Sequence, residues 1–193
     1  MGGEGLLVVI SGPSGVGKNT IAELLVARGA AVRLTTATTR SPKPGEVPGQ
    51  DYHFFTEEEF RRRIDSGYFL EYARVFDSLY GTPLDDVRLN LGRGKTILLL
   101  IDVQGARLVR KAGLPALHVF IAPPDAAALR ERLRGRGRES EKELAGRLGE
   151  AERELAARHE YDHVVVNDTP ERAAGAIAAL IAARRGAAAP ASP

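Results

Sequence analysis

The fold of this chain follows from one stretch near its N-terminus, Ile10-Ser11-Gly12-Pro13-Ser14-Gly15-Val16-Gly17-Lys18-Asn19-Thr20. The apolar run 6–10 before it predicts a buried strand, and the helical periodicity of 18–28 after it predicts a helix. In this strand–loop–helix context, G-x-x-x-x-G-K is typical of a phosphate-binding loop, because the glycines let backbone N–H groups converge on an anion beside a helix N-terminus. We therefore predict a nucleotide triphosphate site in which Lys18 pairs with the β- and γ-phosphates.

The residue after this lysine departs from the phosphate-loop motif. The motif places Ser or Thr there, because the hydroxyl coordinates Mg²⁺. This chain has Asn19 instead, and a hydroxyl follows one position later, at Thr20. Asn19 and Thr20 are therefore the candidate metal-binding residues of the loop.

Length and composition limit the class of protein. A chain of 193 residues suits one α/β domain with insertions better than two independent domains. The formal net charge of +2 argues against a general nucleic-acid binder, and the lack of cysteine excludes disulfides and thiolate chemistry. No apolar stretch reaches membrane-spanning length and no signal peptide is recognisable, so we expect a cytoplasmic protein without a membrane or nucleic-acid partner.

Strands alternate with helices along most of the chain. The clearest buried strand is the continuous apolar run 96–101, which ends at Asp102. Further strands are predicted at 32–36, 52–55, 69–75, 117–121 and 163–166, and further helices at 56–67, 104–112, 125–134, 141–158 and 169–186. Another helix is predicted to run to about residue 91, with Thr82 as N-cap and Pro83 as first residue. This alternation predicts a doubly wound parallel sheet, whose ligands lie beyond the carboxyl ends of the strands, near Gly12 and Asp102.

Two segments interrupt this alternation, 37–83 and 124–150, and the second carries three candidate arginines: Arg132, Arg136 and Arg147. Phosphoryl transfer uses guanidinium groups to neutralise the migrating group, and one such arginine is worth about 10³- to 10⁵-fold in rate. A solvated basic face or an RNA patch is the alternative, which the phosphate loop disfavours. The glycines between these arginines suit a hinged lid, and 187–193 are predicted to be a disordered tail.

One segment, His159-Glu160-Tyr161-Asp162-His163, matches the zinc-protease pattern H-E-x-x-H. That pattern needs both histidines on one face of a continuing helix. Because Val164-Val165-Val166 follows at once and predicts a strand, we expect no zinc site here.

Several spaced motifs follow the phosphate loop: Thr38-Thr39-Arg40-Ser41-Pro42, Gly45-Glu46-Val47-x-Gly49-x-Asp51-Tyr52, Glu71-Tyr72-Ala73, Tyr80-Gly81-Thr82, Ile101-Asp102-Val103-Gln104-Gly105, Arg147-Leu148 and Val166-Asn167-Asp168. In this order, over residues 6–184, the sequence resembles guanylate kinases. The resemblance implies an α/β P-loop kinase fold with a nucleotide-binding core at 1–36, 84–123 and 151–186, a GMP-binding insertion at 37–83 and an arginine-bearing lid at 124–150. It also implies transfer of the γ-phosphoryl group of MgATP to GMP or dGMP.

The resemblance assigns residues to both substrates. For ATP they are Gly12, Pro13, Ser14, Gly15, Val16, Gly17, Lys18, Asn19, Thr20 and, near the adenine, Asn167. For GMP they are Thr36, Arg40, Lys43, Tyr52, Glu71, Tyr80, Thr82 and Asp102. The chemistry of guanine agrees with this set, because a carboxylate such as Glu71 accepts from both N1–H and N2–H, and the hydroxyls of Thr36 and Thr82 suit O6. The dianionic phosphate of GMP is suited by two cations, Arg40 and Lys43, and by two phenols, Tyr52 and Tyr80.

The resemblance implies catalysis without a general base. Lys18, Arg132, Arg136, Arg147 and the cofactor Mg²⁺ surround the transferred group, and positioning and charge neutralisation supply the acceleration.

The chain departs from the family pattern at Lys43, which replaces a bidentate arginine by a point charge, and at Leu100, which replaces an acidic residue. We therefore expect Mg²⁺ to be held mainly by phosphates and water, with Thr20 or Asn19 assisting.

Two other functions stay open at this point. One is a related P-loop kinase with another acceptor, which Glu71 and Thr82 disfavour. The other is a non-catalytic guanylate-kinase-like domain that binds phosphopeptides, which the intact Lys18 and lid arginines disfavour. The sequence leaves the choice between monomer and homodimer undecided.

Overall fold

The computed structural model describes residues 5–75, 77–134 and 141–188. Its elements are β1 (Leu6–Ser11), α1 (Lys18–Ala27), β2 (Val32–Arg33), β3 (Thr36–Thr38), β4 (Tyr52–Phe54), α2 (Glu57–Asp65), β5 (Phe69–Val75), β6 (Ser78–Pro83), α3 (Leu84–Gly92), β7 (Thr96–Leu100), α4 (Val103–Lys111), β8 (Ala116–Ala122), α5 (Ala126–Arg134), α6 (Glu141–Ala156), a 3₁₀ turn (Ala157–Glu160), β9 (His163–Val166) and α7 (Pro170–Ala188). None of the helices within these ranges is long and apolar enough to cross a membrane.

The larger sheet is parallel throughout and has the strand order β2-β7-β1-β8-β9. Its central strand β1 is buried along its whole length, with side chains alternating between two apolar layers. Leu6, Val8 and Ile10 pack with α1 and α7, whereas Leu7 and Val9 pack with α3 and α4. Burial on both faces explains the continuous apolar run in the sequence, and it confirms the predicted doubly wound parallel sheet.

The smaller sheet is formed by residues 36–83 and has the strand order β4-β3-β6-β5. Helix α2 covers it with the fully buried Phe60, whose ring stacks on Phe69 at a centroid distance of 4.4 Å. Thr56 is the N-cap of α2, since its Oγ1 accepts a hydrogen bond from Glu59 N at 3.1 Å. The sheet therefore has its own small apolar core, and the division of the chain at residues 37 and 83 stays a prediction.

The prediction of a helix start at Thr82 and Pro83 is wrong. Both residues belong to strand β6, which pairs with β5, and α3 begins at Leu84. The local Thr-Pro signal is typical of an N-cap followed by a first helical residue, but pairing with a distant strand overrides it.

Three further boundaries differ from the predictions. The predicted strand 32–36 is two short strands, because β2 pairs with β7 in the large sheet while β3 joins the small one. The helix predicted to reach residue 158 ends at Ala156 and continues as the 3₁₀ turn. The helix α7 runs to Ala188, so the predicted tail begins two residues too early, and the rest of it lies outside the described residues.

Candidate active site

The phosphate loop, residues 12–18, lies at the carboxyl end of β1 and leads into α1. Gly12 has φ 145°, and a Cβ there would lie 2.3 Å from the carbonyl oxygen of Ile121 in β8. Gly17 has φ 102° and caps α1, and a Cβ there would lie 2.5 Å from Asn167 Nδ2. A side chain at Gly12 would therefore collide with the backbone of β8, and one at Gly17 would strain the backbone and displace the side chain of Asn167.

The ammonium group of Lys18 lies back over the loop. It donates hydrogen bonds to Gly12 O and, at 3.1 Å, to Pro13 O. The predicted phosphate-binding cation is thus held within the loop that is predicted to cradle the phosphates.

Asn167 and Arg132 fix the far side of the loop. Asn167 Nδ2 donates to Val16 O at 2.7 Å, and Arg132 donates to Val16 O at 3.2 Å and to Asn167 O at 3.0 Å. Asn167 is 1% exposed, and its Oδ1 has no hydrogen-bond partner among the described residues. The structure therefore brings Arg132 and Asn167 to the loop and presents one buried acceptor beside it.

A second predicted arginine reaches the loop from α6. Arg147 Nη2 donates to the hydroxyl of Ser14 at 3.0 Å. Glu154 lies on the same helix, and burial raises the pKa of its carboxyl while the charge of Lys18 opposes that effect. The third predicted arginine, Arg136, lies outside the described residues.

A cavity of about 190 Å³, which we call the acceptor cavity, opens between the two sheets. Five of the residues predicted to bind GMP line it: Thr36, Tyr52, Glu71, Tyr80 and Asp102. They come from β3, β4, β5, β6 and the end of β7, so only the folded chain brings them together. Leu100, at the position where the family pattern is acidic, lines the same cavity.

The buried carboxylate of Glu71 is the distinctive group of this cavity. It is 4% exposed, and its Oε1 accepts a hydrogen bond from Thr82 Oγ1 at 2.6 Å. Burial raises its pKa to about 7, opposed by the hydrogen bond from Thr82 and assisted by the negative charge of Asp102. The Thr82 hydroxyl thus donates its hydrogen bond to Glu71 in this structure, whereas the sequence predicts that it donates to O6 of guanine.

Gly105 lets Glu71 approach the start of α4. A Cβ at this position would lie 2.7 Å from Glu71 Oε2. Asp102 caps the same helix, with its Oδ1 accepting from Gly105 N at 2.8 Å. The glycine of the Asp-Val-Gln-Gly motif is therefore explained by close packing against the carboxylate.

Arg40 marks the other end of the predicted GMP site. Its guanidinium lies over the rings of Tyr52, at 5.3 Å, and Phe54, at 5.8 Å, and Tyr52 packs edge-on against Tyr80. Lys43 is exposed, and neither it nor Arg40 lines the acceptor cavity itself. The structure therefore places Arg40 with Tyr52 and Tyr80 and leaves the side chain of Lys43 at the surface.

The candidate metal-binding residues Asn19 and Thr20 are both exposed on the first turn of α1. Within the described ranges, no group of three or more His, Cys, Asp or Glu side chains is arranged to hold a metal ion. In the H-E-x-x-H segment, His159 lies in the 3₁₀ turn and His163 in β9, so the two do not share a continuing helix.

Sequence reasoning assigned no role to two residues that contact the site, Gly105 and Glu46. Glu46 pairs with Arg40 through two hydrogen bonds of 2.9 Å. Both residues lie inside the motifs on which the family resemblance rests, and that position is the sequence feature that could have identified them. Neither has a chemistry that points to a ligand without knowledge of its neighbours.

Comparison with known proteins gives one consistent family. A family model described as guanylate kinase matches residues 4–184. A curated guanylate kinase from Caldanaerobacter subterraneus subsp. tengcongensis is 45% identical over 183 residues, which cover 94% of this chain and 89% of that protein. One from Synechocystis sp. is 46% identical over 179 residues, which cover 92% and 94%. The crystal structure of guanylate kinase from Anaplasma phagocytophilum superposes with a TM-score of 0.78 at 32% identity, over 95% of this chain and 87% of that one.

Proposed function

Because the chain belongs to the guanylate kinase family, we propose that its phosphate loop binds ATP and that its acceptor cavity binds the GMP that receives the γ-phosphoryl group. The buried Glu71 carries this proposal. A carboxylate held at the bottom of a cavity accepts two neighbouring N–H groups, and guanine presents such a pair at N1 and N2. Adenine would present an unprotonated N1 to the same carboxylate, so the cavity favours GMP over AMP.

Thr36 and Thr82 have different roles in this site. The Thr36 hydroxyl lines the cavity and suits the guanine O6 acceptor. The Thr82 hydroxyl stabilises the ionised form of Glu71 from behind, because it already donates to that carboxylate. Arg40, Tyr52 and Tyr80 then bind the phosphate of GMP, with Lys43 adding a charge from the surface.

On the ATP side, the backbone N–H groups of the loop and the N-terminus of α1 bind the phosphates. Lys18 exchanges its contacts with Gly12 O and Pro13 O for the β- and γ-phosphate oxygens. The buried Asn167 Oδ1 is an acceptor suited to the 6-amino group of adenine.

Catalysis relies on placement and on positive charge. Arg147 and Arg132 already contact the phosphate loop, and Arg136, which lies outside the described residues, is the third arginine that the sequence assigns to the transferred group. These cations and Lys18 neutralise the charge of the migrating phosphoryl group, and no general base is needed.

The residues of the loop fit Mg²⁺ as the cofactor. The Thr20 hydroxyl and the Asn19 amide supply oxygen atoms, which are the donors that Mg²⁺ prefers, on the exposed first turn of α1. When bound, Mg²⁺ would reduce the negative charge of the phosphates. With Leu100 in place of an acidic residue, we propose that phosphates and water supply most of its ligands. A carboxylate bound directly to Mg²⁺ in an ATP complex would contradict this.

A coupled assay with MgATP and a panel of acceptors tests the proposed function. We expect rapid turnover with GMP and dGMP and little with AMP or UMP. Lys18→Ala should abolish the GMP-dependent ADP production, since the loop then lacks its cation. Comparable rates with AMP would contradict the assignment of Glu71, and no turnover with any acceptor would contradict the enzymatic function.

A further inference from the structure

Glu46 makes more contacts than its place in an exposed loop suggests. Among residues 41–50, all of which the structure describes, it is the one that is not exposed. Its Oε1 accepts from Arg40 Nη2 at 2.9 Å, and its Oε2 accepts from Arg40 Nη1 at 2.9 Å and from Lys43 N at 2.7 Å. One carboxylate thus joins the guanidinium to the backbone of the Pro- and Gly-rich loop.

The Arg40 guanidinium is placed by contacts on several sides. Besides Glu46, the carbonyl oxygen of Ser41 accepts from Nη1 at 2.7 Å. The rings of Tyr52 and Phe54 lie against the guanidinium, and the phenol of Tyr80 helps to raise the pKa of Arg40. Both side chains of the Arg40–Glu46 pair are about one-fifth exposed, so water screens the pair only partly.

The pattern of these bonds determines which edge of Arg40 faces a ligand. Glu46 accepts one hydrogen bond from each terminal nitrogen, and the carbonyl oxygen of Ser41 accepts one from the second N–H of Nη1. A guanidinium has five N–H donors in a fixed fork, so the remaining pair is Nε–H and the second Nη2–H, which point in the same direction. That pair is the edge with which arginine binds a phosphate through two parallel hydrogen bonds.

We propose that Glu46 is a positioning residue for the acceptor phosphate: it holds Arg40 end-on, so that the Nε–Nη2 edge faces the phosphate of GMP beside Tyr80. This inference rests on the proposed function, because it assigns the phosphate of GMP to Arg40. Fixing the guanidinium before binding removes the cost of ordering a long side chain when GMP arrives. The hydrogen bonds from Arg40 and Lys43 lower the pKa of Glu46 to about 2, so this contact persists at neutral pH.

Glutamine at position 46 keeps the shape but replaces one acceptor oxygen by an NH₂ group, which cannot accept from Arg40. Calorimetric titration at about pH 8 keeps the GMP phosphate dianionic, since such groups titrate near pH 6. For Glu46→Gln we expect Kd for GMP to rise about 10-fold, while Kd for guanosine, which lacks the phosphate, stays unchanged. In an Arg40→Ala background, Glu46→Gln should cause no further loss, because the two residues act through one contact.

The matched control is Glu59, which pairs with Arg63 on α2, the helix that covers the small sheet. Arg63 also lies over two rings, those of Phe55 and Tyr68, and donates to Glu59 Oε1 at 2.8 Å. The two rings under Arg63 do not line the acceptor cavity, whereas Tyr52 under Arg40 does, so Glu59→Gln should bind GMP with the wild-type Kd.

Three results would overturn the proposal. An unchanged Kd for GMP would show that Glu46 does not position Arg40, and tighter binding would show that the carboxylate competes with the phosphate. An equal loss of GMP and guanosine would indicate a general effect on the cavity. If the wild-type protein itself failed to bind GMP, the proposed function would fail, which is a different result from a failure confined to the Glu46 variant.

Discussion

The hydroxyl of Thr82 donates to Oε1 of Glu71 across 2.6 Å, from directly opposite positions of the antiparallel strands β6 and β5. Thr82 is fully buried and Glu71 is 4% exposed, so water contributes little to the environment of the carboxylate. A buried carboxylate with one hydroxyl donor is under-solvated until a ligand supplies further N–H donors. We therefore expect guanine to supply the N–H donors that this carboxylate lacks.

Binding of guanosine should weaken as the pH falls from about 8 to about 6. Burial raises the pKa of Glu71 to about 7, and only the ionised carboxylate accepts both N–H groups of the base. Below that pH the free protein carries a proton that must leave on binding, so Kd should rise by up to about tenfold per pH unit. Guanosine is the suitable probe in calorimetry, because the phosphate of GMP titrates in the same range. Glu71→Gln should bind weakly at every pH, and a flat wild-type profile would contradict the prediction.

The same carboxylate should make the folded state less stable as the pH rises. The ordinary pKa of Glu71 is 4.5 and that in the fold is about 7. Below about pH 4.5 both folded and unfolded chains hold the proton. Between the two values only the unfolded chain releases it, so the free energy of unfolding falls with rising pH. At about 1.4 kcal/mol per pH unit, the loss is about 3 kcal/mol.

Urea denaturation of the wild type and of Glu71→Gln at several pH values measures this loss. The variant lacks the titrating group, while the other carboxylates and histidines titrate alike in both proteins. The difference between their unfolding free energies should therefore shift in favour of Glu71→Gln between about pH 4.5 and pH 7. A difference that stays constant with pH would mean that burial does not raise the pKa of Glu71.

The large sheet and the phosphate loop could be predicted because their signals are local. Continuous apolar runs marked β1 and β7, and glycines with a lysine marked the turn between β1 and α1. Strand β6 could not be predicted, because it depends on pairing with a strand elsewhere in the chain. Its last residues, Thr82 and Pro83, form a local helix-start signal, and only pairing with β5 makes them a strand.

The residue types of the site were predictable, but their mutual contacts were not. Glu71 and Tyr80 were assigned from the motifs, and the structure places both in the acceptor cavity. The bond from Thr82 to Glu71 depends on strand register, and the bond from Glu46 to Arg40 depends on the path of an irregular loop. Neither register nor loop path has a periodic signal in a single sequence.

Gly105→Ala should weaken GMP binding specifically. The added Cβ would lie 2.7 Å from Glu71 Oε2 and 3.2 Å from Ile101 Cβ, so the carboxylate must move. We expect KM for GMP to rise about 10- to 100-fold, as small displacements of binding groups do, with KM for ATP unchanged. Gly92→Ala in α3 is the control, since a Cβ there meets no atom within 4 Å. Equal effects of both substitutions on KM for GMP would argue against the contact.

Arg147→Ala should lower kcat. Arg132 is the less informative residue, because its bonds to Val16 O and Asn167 O also hold the phosphate loop to the segment after β9. Arg147 instead reaches the loop through the side chain of Ser14, at 3.0 Å. Losing a guanidinium from the migrating phosphoryl group should reduce kcat by about 10³-fold.

The exposed Arg184 on α7 is the matched control, and Arg184→Ala should leave kcat and the thermal midpoint unchanged. If steady-state assays gave the two variants equal kcat values, Arg147 would have no part in the transfer step.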